Sequence, residues 1–470
     1  MKPAFISVSA ALLALLVIAA APEEKGKGKG GGGKGGQGQG AGPGGQVEPA
    51  VVPPYLFNVW LCRPGADSVT LSVLSWQDME AFIAYGERPE SMTHRSTVVK
   101  LSAGGPQTIL LDQLKPDTAY SYQLNYRMGG GEAARDEVRT FHTQRALGST
   151  FTFTMQADSH LDVSTDVRVY QQTLANMLAD KPDFMIDLGD TTMVDKFGNF
   201  YTRSESQYKA QRYYMGRIAH SVPIFMVLGN HDGERGDRLE MAEWSLNMRQ
   251  TYFPNPTDGN DKNSYFAFEW GSALFVGLDP FWATKQRGED NWSATLGDEQ
   301  YRWLAKTLET SKAPFKFIFI HHLVGGLGKD VRGGVNAAPY MEWGGKNADG
   351  SEGFKQHRPG WEMPLHQLFV KTGVSAIFHG HDHLFAKEEL DGIIYQDVPQ
   401  PGHPSGGTRS AEEYGYTGTI LGSSGHLRVT VSPQQTKVDY VRSIVPDVTR
   451  DNIANGTVEH SYVIKPRPRT

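Results

Sequence analysis

The pattern of apolar and polar positions divides the chain into two regions with different periods. Between Val51 and Arg145, short runs rich in β-branched and aromatic residues alternate with turn residues, as in YLFNVWL, SVTLSVLSW and AYSYQLNYRM. Short strands at such regular spacing are typical of an antiparallel sandwich. We therefore predict a small all-β sandwich over residues 49–145.

From residue 146 onward, continuous apolar runs alternate with segments of helical period. The apolar runs are TFTFTMQA, DFMIDL, PIFMVL, FKFIFI and SAIF, and VRVYQQTLANMLAD carries apolar residues at helical spacing. Such a pattern indicates buried strands in a sheet whose two faces are covered. It predicts an α/β region over residues 146–450, closed by a hairpin of LRVTVS and KVDYVRSI, and a solvated C-terminal tail over residues 451–470.

The N-terminal 48 residues follow neither pattern. Lys2 precedes the apolar stretch Ala10–Ala21, which ends in small residues and is shorter than the about 20 residues that span a bilayer. We predict a signal peptide over residues 1–21, with an uncleaved anchor as the alternative. The mature chain would then have no transmembrane segment and would be secreted or periplasmic.

Residues 22–48 are rich in Gly and Lys and contain almost no apolar side chains. Such a segment cannot bury apolar surface, so it predicts a flexible linker. A solvated spacer is one interpretation of this linker. The other is a contact between its lysines and an anionic envelope surface.

The net charge argues against a nucleic-acid partner, and the cysteine content excludes an intramolecular disulfide. The chain carries 46 basic and 52 acidic side chains, and its net charge is −6. Because nucleic-acid binding depends on neutralising phosphates, we expect no nucleic-acid partner. The single cysteine, Cys62, cannot form an intramolecular disulfide and is predicted to be a small buried side chain.

Polar residues able to bind metal follow each apolar run of the second region. Singly, each such motif could be a turn or a cap, but sites in α/β proteins form where the carboxyl ends of several strands converge. The ordered set therefore predicts a single site. Its motifs are Asp158-Ser159-His160, Gly189-Asp190, Gly229-Asn230-His231-Asp232, His321-His322 and His379-Gly380-His381-Asp382-His383.

The donor chemistry of this set indicates metal ions and a phosphoryl reaction. Carboxylate, amide and imidazole groups without thiolate suit Mn, Fe, Co or Zn, and they are more numerous than one ion needs. Two ions about 3.5–4 Å apart can activate a shared water and clamp the oxygens of an in-line phosphoryl displacement. The residues thus predict a binuclear hydrolase of phosphate esters.

The motif set, across about residues 150–425, resembles that of the calcineurin-like metallophosphoesterases. With the preceding sandwich, the chain is most similar to their purple acid phosphatase-like branch, and LKPDTAYSYQL, Leu114–Leu124, resembles the tyrosine corner of fibronectin type III domains. The resemblance implies a two-sheet β-sandwich flanked by helices, in four layers α/β/β/α, preceded by a fibronectin III-like all-β sandwich.

The resemblance also assigns roles by position. His231 would stabilise the phosphoryl transition state or protonate the leaving oxygen, and the nucleophile would be a metal-bridging hydroxide. The two ions, divalent or trivalent, would be Fe, Mn, Zn or Co. Their implied ligands are Asp158, His160 and His383 for the first ion, Asn230, His321 and His381 for the second, and Asp190 as the bridge.

Three positions depart from the pattern of purple acid phosphatases and their relatives. Met193 stands where those enzymes have a tyrosine, and His160 is present where they lack a histidine, so an iron-tyrosinate is not expected. Leu323 replaces the usual proline after the His-His pair.

The Gly-rich segment Leu323–Trp361 lacks a clear period and predicts a lid or binding loop, with a surface insertion as the alternative. Charged residues in this segment and near the motifs are the candidates for contact with substrate phosphate, and two further residues are expected to support the ligands. The candidate substrate contacts are His322, Arg332, His357, Arg358 and Arg235, and the supporting residues are Asp232 and His379.

These features predict an exported phosphoesterase acting on a small-molecule phosphate ester, with phosphomonoester hydrolysis of the acid-phosphatase type as the first hypothesis. One alternative is a phosphodiesterase acting on nucleotide or lipid-derived diesters. The alternative of another class is a non-catalytic cell-surface binding protein with a structural metal site.

Overall fold

The computed structural model describes residues 49–257, 260–285, 291–323, 334–449 and 451–467. The predicted signal peptide and linker, residues 1–48, lie outside this part of the chain, as does Arg332. Within the described residues, no helix combines the length and the apolar character needed to cross a membrane.

Short antiparallel strands form the N-terminal region. They are β1 Phe57–Cys62, β2 Val69–Ser75, β3 Met79–Gly86, β4 His94–Arg95, β5 Val99–Leu101, β6 Pro106–Leu111, β7 Ala119–Met128, β8 Ala133–Arg135 and β9 Arg139–His142. One sheet has the order β1-β2-β6, and the other has β4-β3-β7-β8 with β5 on β3 and β9 on β7. Side chains such as Leu71, Ile83 and Leu124 form the core of this region. The predicted all-β region is confirmed, and Cys62 is buried as predicted.

A tyrosine contact fixes the turn before β7. The backbone N–H of Lys115 donates a 2.9 Å hydrogen bond to the hydroxyl oxygen of Tyr120. This is the contact that the resemblance to a tyrosine corner predicts. The fibronectin III-like classification of the region stays a prediction.

Two mixed sheets form the second region. Their strands are β10 Phe151–Gln156, β11 Phe184–Asp187, β12 Ile224–Met226, β13 Phe266–Trp270, β14 Ala273–Gly277, β15 Phe315–Phe319, β16 Ala376–His379, β17 Phe385–Leu390, β18 Ile393–Asp397, β19 Thr419–Leu421, β20 Gly425–Val431, β21 Thr436–Arg442 and β22 Val458–Ile464. The first sheet has the order β12-β11-β10-β20-β21-β22 and the second β13-β14-β15-β16-β18-β17-β19. The pairs among β10, β11 and β12 are parallel, as are those of β15 with β14 and β16.

Alternation along the strands explains how the two sheets stack. In β15, Phe317 and Phe319 point into a phenylalanine-rich core shared by both sheets, whereas Ile318 points outward to a second core under helices. Since successive strand side chains face opposite sides, a continuously apolar strand must be covered on both faces.

Helices cover the outer face of each sheet. α1 to α3 pack on the first sheet, and α4, α5 and α7 pack on the second. The predicted four layers α/β/β/α are therefore confirmed. The helices are α1 Val167–Ala179, α2 Glu205–Ala219, α3 Leu239–Tyr252, α4 Gly297–Thr310, α5 Met341–Gly344, α6 Phe354–His357, α7 Leu365–Thr372 and α8 Arg409–Glu413.

One sequence prediction needs correction, and one stays untested. Residues 451–470 are not simply a solvated tail, because β22 pairs antiparallel with β21 at the edge of the first sheet. An edge strand keeps polar side chains on its exposed face, which weakened its apolar signal. The described part of Leu323–Trp361 contains α5 and α6 and buries Trp343 and Trp361, and its role as a lid or binding loop stays a prediction.

Candidate metal centre

The predicted motif residues come together at one edge of the two sheets. They directly follow parallel strands, whose carboxyl ends meet at the same edge. Two contacts join the sheets there. The backbone N–H of His381 donates to Asp158 Oδ2 at 2.8 Å, and His321 Nδ1 lies 2.8 Å from the carbonyl oxygen of Leu188. Loops from the two sheets are thus locked together at the site.

The first candidate metal-binding group, called the first group below, consists of Asp158, His160 and His383. One donor atom from each lies within 4.8 Å of the others. His383 Nε2 is 3.4 Å from Asp158 Oδ1 and 3.4 Å from His160 Nε2. His160 Nδ1 lies 3.3 Å from Asp162 Oδ1, a supporting carboxylate that the sequence analysis did not single out.

The second candidate group, called the second group, consists of Asp190, His321 and His381. Their donor atoms also lie within 4.8 Å of one another. His321 Nε2 is 3.2 Å from Asp190 Oδ2 and 3.1 Å from Asn230 Oδ1. The same nitrogen lies 4.0 Å from Asp158 Oδ1, so the two groups are neighbours.

The backbone around these residues is held in uncommon conformations. Asp158, Asp190, His381 and His383 have φ values of 57°, 50°, 81° and 63°. Positive φ is rare outside glycine, and it persists where the surrounding structure over-determines it, often at functional sites. A Cβ atom at Gly380 would lie 2.5 Å from Ala157 Cβ, so glycine permits the close approach of two motif loops.

The electrostatics of the site favour bound positive charge. Asp158 is 0% exposed and Asp190 is 1% exposed. Burial lowers the pKa of His321, but the Asp190 and Asp158 carboxylates raise it to about 10. Burial likewise opposes ionisation of Asp190, yet His321 and His231 hold its pKa well below the usual range. Buried carboxylates of this kind stabilise a neighbouring cation.

The spacing and chemistry of the donor atoms, like the charges of the site, suit bound metal ions. Atoms that share an ion lie about 2.0–2.2 Å from it, so they must fall within a few ångströms of one another, as they do in both groups. Oxygen and imidazole nitrogen donors suit borderline cations. The chain therefore carries two adjacent candidate metal-binding groups.

His231 lies beside the second group and is paired with a carboxylate. Its backbone N–H donates to Asp190 Oδ1 at 2.7 Å, and its Nδ1 is 2.9 Å from Asp195 Oδ1. Burial lowers the pKa of His231, but Asp190 and Asp195 raise it above its ordinary value. Asp195 was not predicted from the sequence, where its only signal was a second carboxylate five residues after Asp190.

Asp232 joins the two loops that carry Asp190 and Asn230. It accepts hydrogen bonds from the backbone N–H groups of Gly229 at 2.8 Å, Asp190 at 3.0 Å and Thr192 at 2.8 Å. The bond from Gly229 caps the turn of the Gly229-Asn230-His231-Asp232 motif. The carboxylate that contacts the His231 ring is that of Asp195.

Three further residues that were predicted from the sequence lie close to the two metal-binding groups or are buried behind them. His322 is 2% exposed, and its ring centroid is 5.2 Å from that of His381 and 5.1 Å from that of Phe281. The Arg235 guanidinium lies 6.0 Å from the Phe281 ring. His379 is the last residue of β16, is buried, and has its Nδ1 3.5 Å from an Asp397 oxygen. Their roles stay predictions.

His357 and Arg358 take part in packing rather than in an open anion site. The His357 ring stacks on Trp292 at a centroid distance of 4.5 Å. Arg358 pairs with the buried carboxylate of Glu342 and donates to the carbonyl oxygen of Trp292 at 2.6 Å. The predicted phosphate contact by Arg358 is therefore corrected, because its donors already bind protein acceptors.

Comparison with known families identifies the class of protein. The calcineurin-like phosphoesterase profile matches residues 151–385, which is half of the 470-residue chain. The chain belongs to this family and is a metal-dependent phosphoric ester hydrolase. No curated protein matches the chain.

Two solved structures share the fold over most of the chain. A structure of PhoD superposes with a TM-score of 0.63 at 16% identity, covering 87% of this chain and 90% of PhoD. The purple acid phosphatase PPD1 from yellow lupin seeds superposes with a TM-score of 0.58 at 18% identity, covering 87% of this chain and 74% of that protein. At these identities the likeness concerns the fold.

Proposed function

We propose that the chain is an exported, binuclear phosphoesterase that hydrolyses small-molecule phosphomonoesters. The observation that carries this proposal is the juxtaposition of two ligand groups with the His231–Asp195 pair at one sheet edge. Export is supported by the signal-peptide pattern of residues 1–21.

In this proposal the ligand groups hold one ion each. Asp158, His160 and His383 would bind the first ion, and Asp190 would lie between the two. When bound, such ions activate water and stabilise negative charge on the phosphoryl oxygens. The second ion would be bound by Asn230, His321 and His381.

Residues of the chain itself would protonate the leaving group. The Asp195 carboxylate beside Nδ1 of His231 keeps a proton on that nitrogen and stabilises the imidazolium form. This arrangement leaves Nε2, on the other side of the ring, to donate a proton to the departing oxygen. His231 Nε2 lies 4.0 Å from Asp190 Oδ2, within the proposed reaction centre.

Donor chemistry limits the identity of the metals. The ligands are nitrogen and oxygen atoms, which suit Fe, Mn, Zn or Co. The buried Met193 cannot supply a phenolate, so we expect no tyrosinate colour from the protein.

Comparison of two substrates tests the monoester proposal. We expect faster hydrolysis of nitrophenyl phosphate than of bis-nitrophenyl phosphate, in line with the phosphatase named among the structural neighbours. Faster hydrolysis of the diester would replace the proposal with phosphodiesterase function. Hydrolysis of neither substrate by metal-loaded protein would favour a binding protein.

Export can be tested separately from the chemistry. The chain recovered from the periplasm or the medium should begin near residues 20–22 when its N-terminus is sequenced. An intact Met1 on all of the recovered protein would contradict cleavage of a signal peptide.

A further inference from the structure

Helix α2 carries two adjacent buried polar residues, Gln211 and Arg212, both 0% exposed. Gln211 Nε2 donates 2.8 Å hydrogen bonds to the carbonyl oxygens of both Ser159 and Thr191. Ser159 stands between Asp158 and His160, and Thr191 follows Asp190 directly. One side-chain amide thus uses both of its N–H groups to hold two ligand-bearing loops.

A buried polar network reinforces this contact. Asp187, at the end of β11, accepts hydrogen bonds from Thr191 Oγ1 at 2.6 Å and from Ser159 Oγ at 3.3 Å. The Tyr170 hydroxyl donates to Gln211 Oε1 at 3.1 Å. Burial raises the pKa of Asp187 to about 6, which reflects how completely the network is enclosed. Buried networks with satisfied partners fix one geometry.

Arg212 joins the same helix to the N-terminal all-β region. Its guanidinium donates to Asn58 Oδ1 at 2.8 and 3.1 Å, and to the carbonyl oxygen of Ser72 at 2.9 Å. Asn58 Nδ2 in turn donates to the Arg212 carbonyl oxygen at 2.5 Å. The guanidinium also lies 5.1 Å from the Trp60 ring.

These Arg212 contacts depend on accurate geometry. The hydrogen-bond partners of the guanidinium are neutral groups, and burial lowers the pKa of Arg212 to about 10. A cation buried among neutral partners is stabilised only when its hydrogen bonds are well formed. β1 and β2 of the all-β region therefore determine how α2 is seated.

We propose that Gln211 is a positioning residue for the metal ligands, and that α2 couples the N-terminal all-β region to the metal centre. This inference rests on the proposed binuclear site. The all-β region is then an integral support of the catalytic loops rather than a separate binding module.

Replacement of Gln211 by Met tests whether Gln211 positions the metal ligands. Gln211→Met keeps the length of the side chain but leaves the Ser159 and Thr191 carbonyl groups without their donor. Loss of a contact that orients metal ligands typically lowers metal affinity about 10- to 100-fold. The measurement is calorimetric titration of metal-depleted full-length protein with Mn²⁺, alongside thermal unfolding without metal.

Gln172→Met is the matched control. Gln172 lies on α1, which covers the same sheet, and among the described residues its amide donates to the neighbouring Asn176 side chain at 3.0 Å. The control should bind Mn²⁺ as the unmodified chain does. Equal affinity in Gln211→Met and the control would overturn the role of Gln211.

Asn58→Ala tests the coupling from the other region. This change removes the acceptor of two Arg212 hydrogen bonds without touching the metal loops. We expect Mn²⁺ affinity to fall about threefold or more, and to fall less when Gln211 is already Met, because coupled residues are not additive. Additive effects, or unchanged affinity in a folded Asn58→Ala protein, would overturn the coupling.

The outcomes separate the two proposals. If the unmodified chain binds no metal, the proposed function fails and this inference fails with it. If the unmodified chain binds two ions and the variants bind them equally well, only this inference fails. Should Gln211→Met not fold, Asn58→Ala alone decides the coupling by the same titration.

Discussion

Two of the proposed ligand histidines, one from each group, differ in how the protein encloses them. In the second group, His321 is 0% exposed and its Nδ1 is fixed by the Leu188 carbonyl. In the first group, the His383 side chain is 38% exposed. His321 is thus part of the packed interior, whereas His383 borders solvent, although each group as a whole joins two buried residues to one half-buried histidine. Substrate and exchanging metal should arrive from the His383 side.

Asp190→Asn should produce the largest effect, because Asp190 is the proposed bridge between the two ions. Loss of its charge leaves the neighbouring cations poorly compensated, and we expect hydrolysis of nitrophenyl phosphate to fall about 10³-fold or more. Metal content should fall as well. Asp349→Asn, a change of the same chemistry in an exposed loop, is the control. Retained activity in Asp190→Asn would contradict the proposed mechanism.

Removal of one histidine from each group tests the contrast itself. His383→Ala should leave a folded protein that keeps the second ion and loses most activity, about 10²-fold. His321→Ala removes a fully buried ring and should also lower the melting temperature, since large buried side chains cost about 3–5 kcal/mol when truncated. Elemental analysis and thermal unfolding measure these outcomes. An equal loss of stability in both variants would remove the contrast.

The site residues differ in how far sequence alone could find them. The proposed ligands were predictable because each is of a metal-binding type and follows an apolar strand. Asp195 and Gln211 were not predictable, because their roles depend on contacts made after the chain folds: Asp195 reaches His231 across 36 residues, and Gln211 reaches Ser159 across 52.

The strands of the fold also differ in how far the sequence alone could predict them. Continuous apolar runs such as FKFIFI predicted the central strands, since a strand buried on both faces is apolar throughout. The edge strand β22 has an exposed face and lacked that signal. Arg358 was misjudged because its charge suggested a phosphate contact, whereas Glu342 meets that charge inside the protein.

Asp195→Asn should have a smaller effect that leaves both groups intact. Asp195 contacts His231 and belongs to neither ligand group, so metal content should not change. We expect kcat to fall about 10- to 100-fold for alkyl phosphates and less for nitrophenyl phosphate, whose leaving group needs little protonation. An equal loss for both substrates would argue against proton donation through His231.

The smallest expected effect is a difference between the two groups in the rate at which they lose metal. Upon addition of a chelator, the ion bound by the partly exposed His383 should leave before the ion bound by the buried His321. Stopped-flow transfer of Mn²⁺ to the chelator should then give two phases, and His383→Ala should show only the slower one. A single phase in both proteins would mean that the groups are equally accessible.

Anomalous X-ray diffraction from crystals loaded with Mn²⁺ tests the binuclear centre most directly. We expect two peaks, one within bonding distance of Asp158, His160 and His383 and the other of Asn230, His321 and His381, with Asp190 contacting both. A single peak, or peaks away from these residues, would contradict this expectation.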